Sequence, residues 1–135
     1  MRKRKQRQFK IIAVDSNLST LNIIEYILTK AGHQVLTCSS AADAVGFLGG
    51  NDFDIIITDR KIHNDIGLDL VEYVRTNFKA VIIIMVDGCD SFEGPANALK
   101  IGADDYLVKP FTNKELTVSV RRAIGKFVRV RSSTR

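Results

Sequence analysis

The stretch Asp54-Ile55-Ile56-Ile57-Thr58-Asp59 limits this chain more than any other. A run of isoleucines is stiff at χ1 and suits a pleated strand. Lacking polar alternation, it reads as a strand buried on both faces. That is the habit of parallel sheets, whose two faces are covered by helices. In such sheets ligands sit outside the carboxyl ends of the strands. Asp59 stands at such an end, although an acid that merely opens a loop would fit this run alone equally well.

The flanking sequence repeats the pattern. Phe9 to Val14 reads as a first strand, followed by the capping candidates Asp15-Ser16-Asn17. Leu18, Leu21, Ile24, Leu28 and Ala31 give a helical face, and Gly32 ends it. His33 to Thr37 is a second strand. Ser39-Ser40 caps a helix carrying Ala41, Ala44, Val45 and Leu48, with Gly49-Gly50 after it. Beyond the Asp54 strand, Arg60 to Ile66 is a polar loop. Gly67 to about Phe78 has Leu68, Leu70, Val71 and Val74 at helical spacing. Ala80 to Val86 is an apolar strand that Asp87-Gly88-Cys89-Asp90 breaks. A short fourth helix over Pro95 to Ile101 follows, since Pro is tolerated at a helix start. Tyr106 to Val108 is a fifth strand, and Lys109 before Pro110 is extended or turned. Thr112 or Asn113 caps a last helix with Leu116, Val120, Ala123, Ile124 and Phe127 inside. Five strands alternating with five helices predict a parallel sheet covered on both sides, with right-handed crossovers.

The 135 residues suit one domain, and 45% hydrophobic content is ordinary for a globular protein. No stretch approaches the roughly 18 apolar residues of a spanning helix, and Ile11 to Val14 is too short for a secretory signal. A cytoplasmic protein is expected. Cys38 and Cys89 match no metal or redox spacing and read as buried spectator thiols. His33 and His63 form no ligand pair. The net charge of +5 conceals an asymmetry. Six cations stand in residues 1–10 and six in 116–135, without an acid in either. The remaining eight cations face all 15 acids, so residues 11–115 carry −7.

In this arrangement Asp15, Asp59, Asp87 and Lys109 all end strands at one edge of the sheet. Converging acids repel one another and bind protons more tightly unless a cation intervenes. Oxygen ligands of this kind suit Mg²⁺, which takes few carboxylates with water and phosphate oxygens. A lysine beside them neutralises a phosphoryl oxygen. A carboxylate, a divalent cation and an ammonium together make a phosphoryl acceptor, the carboxylate acting as nucleophile.

Val14-Asp15, the strand ending at Asp59, Gly67-Leu68 and the run Gly102-Ala103-Asp104-Asp105-Tyr106-Leu107-Val108-Lys109-Pro110-Phe111 carry a resemblance. The chain resembles a bacterial two-component response-regulator receiver domain of the chemotaxis-regulator type. The likeness covers residues 9–128, between a basic disordered arm over 1–8 and a basic tail over 129–135. It implies an α/β, flavodoxin-like (βα)5 three-layer sandwich with a parallel sheet of order 2-1-3-4-5. By motif match, Asp59 is the phosphoacceptor and Lys109 the contact to the phosphoryl group. Asp15, Asp59 and the backbone of Lys61 are the implied Mg²⁺ ligands. Asp87 and Tyr106 fall on the switch positions. A histidine kinase or phosphotransfer protein is the implied donor. The face of the fourth helix, fifth strand and fifth helix is the implied surface for a downstream protein.

The sequence departs from the family pattern in four places. Ser16 replaces the second acid of the metal pair, which should weaken Mg²⁺ binding. Asp87 stands where a Thr or Ser hydroxyl is usual. A carboxylate there repels a phosphoryl oxygen, by up to roughly 4 kcal/mol for unit charges about 4 Å apart before screening. His63 stands at a common proline position and Ile66 at that of a frequent acid. Asp87 either supplies the carboxylate missing at Ser16, as a further metal ligand, or leaves a site that phosphorylates poorly. The alternative function is a pseudo-receiver, a protein-binding module indifferent to phosphate. An aspartate-nucleophile phosphatase needs a second acid two residues after the nucleophile, where this chain has Lys61. The basic arm reads foremost as a solubilising tail, with non-specific contact to anionic lipid or nucleic acid as the other reading. No recognition-helix module supports sequence-specific DNA binding.

Overall fold

The structure, a computed structural model, describes residues 8–62, 67–88, 94–100 and 102–133. The arm before residue 8, the loop from His63 to Ile66, and the segment from Cys89 to Glu93 lie outside the described residues, as do the side chains of Leu68 and Phe127.

Five strands and five helices alternate: β1 (Lys10–Val14), α1 (Leu18–Lys30), β2 (Gln34–Cys38), α2 (Ala41–Gly50), β3 (Ile55–Asp59), α3 (Gly67–Asn77), β4 (Ile82–Gly88), α4 (Gly94–Lys100), β5 (Asp105–Lys109) and α5 (Asn113–Ser133). All strand pairs are parallel and the order is β2-β1-β3-β4-β5, as expected. Strand alternation sends side chains to two cores. Ile11, Ala13, Ile55, Ile57 and Ile84 pack beside residues of α1 and α5, among them Ile24, Leu28, Leu116 and Val120. Ile12, Val14, Ile56, Ile83 and Met85 pack beside Ala44, Leu48, Val71, Val74 and Ala98 of α2, α3 and α4. Ile55, Ile56 and Ile57 are almost fully buried, which is what an isoleucine run lacking polar alternation requires.

Local signals set the element ends. Asn17 caps α1, its side-chain oxygen accepting from Ser19 and Thr20 N–H at 2.9 and 3.2 Å. Gly32 follows the C-cap at φ 99°, a conformation that favours glycine. Ser40 caps α2. Thr112 and Glu115 form a reciprocal capping box at the start of α5, at 3.1 and 2.9 Å.

Several expectations need correction. The first three strands begin one residue later than Phe9, His33 and Asp54. The buried face of α1 is Leu21, Ile24, Ile27 and Leu28; Leu18 is exposed and Ala31 is the C-cap. In a helix this rich in apolar residues, the tilt of the helix on the sheet decides which of several faces is buried. β4 does not break at Asp87, because Asp87 pairs with Val108 and Gly88 with Lys109 of β5. α5 runs on to Ser133, so Arg129 and Arg131 belong to a helix rather than following one. Lys109-Pro110 is a cis peptide.

Two lone groups are structural. Phe9 N–H donates to buried His33 Nδ1 at 3.3 Å, and burial lowers the pKa of that imidazole. Cys38 is a buried free thiol, pushed up to about 11 by burial and by the charge of Asp43.

Candidate functional site

β1 and β3 lie side by side at the middle of the sheet and both deliver a carboxylate to its carboxyl edge. Asp15 follows β1. Its N–H donates to Cys38 O at 3.1 Å, and its Oδ1 accepts from Asn17 N–H at 2.8 Å. Asp59 ends β3. Both are buried, at 2% and 8% exposure, where carboxylates are rare without partners. The partner comes from the edge strand β5. Lys109 Nζ lies 2.8 Å from Asp15 Oδ2 and 3.5 Å from Asp59 Oδ2.

The electrostatics follow from this geometry. Burial, and then the charge of Asp15, raise the Asp59 carboxyl above its ordinary value; Lys109 and the backbone N–H of Lys61 offset this only partly. Burial alone would lower Lys109. The hydrogen bond and charge of Asp15, together with the charge of Asp59, reverse that and hold the ammonium above its ordinary value. The result is a buried nucleophile-type carboxylate beside a second acid and one firmly protonated lysine.

Asp87 is placed differently. Its carboxylate, 1% exposed, is engaged on both oxygens. Oδ2 accepts from Arg60 Nη1 at 3.0 Å and from the Tyr106 hydroxyl at 2.9 Å, while Oδ1 accepts from Gly88 N–H at 2.8 Å. Among the described residues, no group of three or more His, Cys, Asp or Glu side chains is arranged to hold a metal ion. The structure therefore brings Asp15, Asp59 and Lys109 together and gathers Asp87, Arg60 and Tyr106 into a second cluster beside them. Arg60 was missed in the sequence. The available signal was a cation directly after one strand-end acid, with another acid at the end of the next strand.

Two carboxylates on neighbouring strands, one raised by the charge of the other, are a donor set that fits Mg²⁺. That ion takes one or two protein carboxylates and otherwise water and phosphate oxygens. Ser16 is exposed and adds no third charge.

At the opposite edge of the sheet, a cavity of about 500 Å³ is lined by Ile82, Asp104, Asp105, Arg122, Ala123 and Lys126. Its acids are all paired. Asp104 meets Arg75 and Lys126, each at 2.6 Å, and Asp105 meets Arg122 at 3.0 Å. These contacts tie α3 and α5 to the start of β5 and leave the chemistry at the Asp59 edge.

A doubly wound sheet of order 2-1-3-4-5, with an acid pair and a lysine at its carboxyl edge, defines a receiver-type signalling protein. The family model for the response regulator receiver domain matches residues 11–121, and the chain belongs to that family, which acts in two-component signalling. The alginate biosynthesis transcriptional regulatory protein AlgB of Pseudomonas aeruginosa is 31% identical over 129 residues, 96% of this chain and 28% of that protein. The chain thus spans less than a third of that curated relative's length. Among solved structures, the chemotaxis response regulator CheY4 of Vibrio cholerae matches with a TM-score of 0.81 at 28% identity, over 87% of this chain and 99% of that one. NtrX from Brucella abortus matches with a TM-score of 0.90 at 22% identity, over 95% of this chain and 29% of that one, a likeness of fold. Receiver domains generally are signalling modules that bind Mg²⁺ at the phosphorylation site and interact with kinases and downstream partners.

Proposed function

We propose that this receiver takes a phosphoryl group onto Asp59 from a histidine kinase or phosphotransfer protein, and that the change in charge alters its affinity for a downstream protein. The observation that carries this reading is Lys109, whose ammonium reaches both Asp15 and Asp59. A carboxylate oxygen of Asp59 attacks the phosphorus, the bond from phosphorus to the donor nitrogen breaks, and an acyl phosphate forms. Lys109 keeps its proton through neutral pH and neutralises a phosphoryl oxygen as the charge arrives. The Lys61 N–H orients the Asp59 carboxylate. Asp15 and Asp59, with the Lys61 backbone, would hold Mg²⁺, which offsets the carboxylate and phosphoryl charge when bound. Ser16 in place of an acid makes that binding weak.

The downstream surface is the face of α4, β5 and α5, where Leu99 and Val108 stand exposed beside Tyr106. Lys114 and Arg122 of α5 border this face and suit an acidic partner. Among the described residues no helix is long and apolar enough to cross a membrane, in keeping with a cytoplasmic role. The phosphate-indifferent binding module is the second reading. It draws on the ion pair at Asp87, where the family's hydroxyl is absent.

Incubation with acetyl phosphate and Mg²⁺, followed by intact-protein mass, tests the acceptor. The expected result is a gain of one phosphoryl group that disappears in Asp59→Asn. No gain in the unmodified protein supports the phosphate-indifferent module instead.

A further inference from the structure

The switch position Asp87 is an acid at the carboxyl end of the strand next to that of the acceptor. β3 and β4 are adjacent, with Asp59 opposite Val86 and Asp87 the next residue along. Neighbouring strands run about 4.8 Å apart. A bare carboxylate there, 1% exposed, would face an incoming phosphoryl group with little water to screen the repulsion. Uptake of phosphate at Asp59 therefore requires that the charge of Asp87 be met by something else.

We propose that Arg60 is a positioning residue for the acceptor site: it ties up the charge of Asp87, so that Asp59 can be phosphorylated beside an acid where the family uses a hydroxyl. The inference rests on reading Asp59 as the acceptor. Arg60 Nη1 lies 3.0 Å from Asp87 Oδ2. The arginine is well anchored for this task, because its N–H donates to Val86 O at 2.9 Å and continues the β3–β4 ladder past Asp59. The Tyr106 hydroxyl takes up the same Asp87 oxygen, and Gly88 N–H takes the other. Arg60, the Tyr106 hydroxyl and the Gly88 N–H thus all hold the Asp87 carboxylate. The pair acts as a unit. Without Arg60, the 1% exposed carboxylate of Asp87 loses a cation that stands 3.0 Å from its Oδ2.

The test is a double-mutant cycle on the rate of phosphoryl gain from acetyl phosphate with Mg²⁺, read by intact mass. The proteins are the unmodified chain, Arg60→Met, Asp87→Thr and the double variant; methionine keeps most of the arginine stem. Arg60→Met should slow phosphorylation by about tenfold or more, given the strength of a close like-charge contact. Arg60→Lys, which keeps the charge, should retain most of the rate. Asp87→Thr should be at least as fast as the unmodified chain, and the double variant should match Asp87→Thr. That rescue separates charge neutralisation from structural support, because lost support would leave the double variant slow. Equal rates for Arg60→Met and the unmodified chain, or a double variant as slow as Arg60→Met, would overturn the proposal while leaving the acceptor reading intact. A complete lack of phosphoryl gain in every protein, Asp87→Thr included, overturns the acceptor reading and this inference with it.

Discussion

Lys109 Nζ sits 2.8 Å from Asp15 Oδ2, nearer than to Asp59 Oδ2 at 3.5 Å. One ammonium serves two buried carboxylates and lies nearer the one that is not the proposed acceptor. Asp59 is left as the less neutralised acid, and its raised carboxyl follows from burial and the charge of Asp15. A group that folding makes harder to ionise lowers stability wherever it is ionised.

The first prediction concerns that cost. Because the folded-state value of Asp59 lies above its ordinary 3.8, the folded chain holds the proton more tightly than the unfolded chain. Stability then falls as pH rises from 3.8 through the raised value, and stays reduced at neutral pH. Asp59→Asn should therefore melt several degrees higher than the unmodified chain at pH 7, with the gap closing below pH 3.8. Thermal melts across pH check this. A variant that melts lower at pH 7 would show that the contacts to Lys109 and Lys61 outweigh the repulsion.

Lys109 should show the alkaline counterpart. Its folded-state value is raised above 10.5 by Asp15 and Asp59, against the pull of burial. Its contribution is fully present below pH 10.5 and is lost as pH rises through the folded value. Lys109→Met should cost about 2 kcal/mol at pH 7, below the roughly 3–5 kcal/mol for breaking a fully buried pair, because the lysine is partly exposed. Denaturant melts at pH 7 and above pH 10.5 check both points: the difference between variant and parent should shrink at the alkaline end.

Arg75 should matter for stability and not for phosphate chemistry. Its guanidinium donates to the carbonyls of Gly102, Lys79 and Val81 and to Asp104, whose Oδ2 also accepts from Ile83 N–H at 2.8 Å. One planar fork joins the end of α3 to the starts of β4 and β5. Arg75→Ala should cost about 2–3 kcal/mol by leaving these acceptors unmet, and Arg75→Lys should recover less than half of it. Gly102→Ala should destabilise as well. Gly102 has φ 116°, and an added Cβ would stand 3.2 Å from Arg75 Cγ. Denaturant melts measure these losses, with phosphorylation rates unchanged in Arg75→Lys.

The sheet was legible because Ile55–Ile57 and Val81–Val86 lack any polar alternation, and only burial on both faces accommodates such runs. Asp15, Asp59 and Lys109 were legible because each directly follows or ends a strand, and parallel strands bring such positions to one edge. The end of β4 was not. Asp and Gly are poor strand formers, yet pairing with Val108 and Lys109 carries the strand through Asp87 and Gly88. The role of Ile27 in place of Leu18 was hidden by apolar residues all around α1. The partner of Asp87 was hidden for another reason. Asp87 reads in sequence as the third acid of the strand-end edge, but a guanidinium 27 positions away lies 3.0 Å from it, and so distant a pairing is not marked by local spacing.

Asp59, backed by Lys109 and Asp15, is the proposed carrier of the phosphoryl group. Reducing the acetyl-phosphate-treated protein with borohydride converts an aspartyl phosphate to homoserine, and peptide mass spectrometry locates the change. The expected result is homoserine at position 59, dependent on Mg²⁺ and much reduced in Lys109→Met. Aspartate unchanged at 59, or homoserine at Asp15 or Asp87 instead, would contradict it.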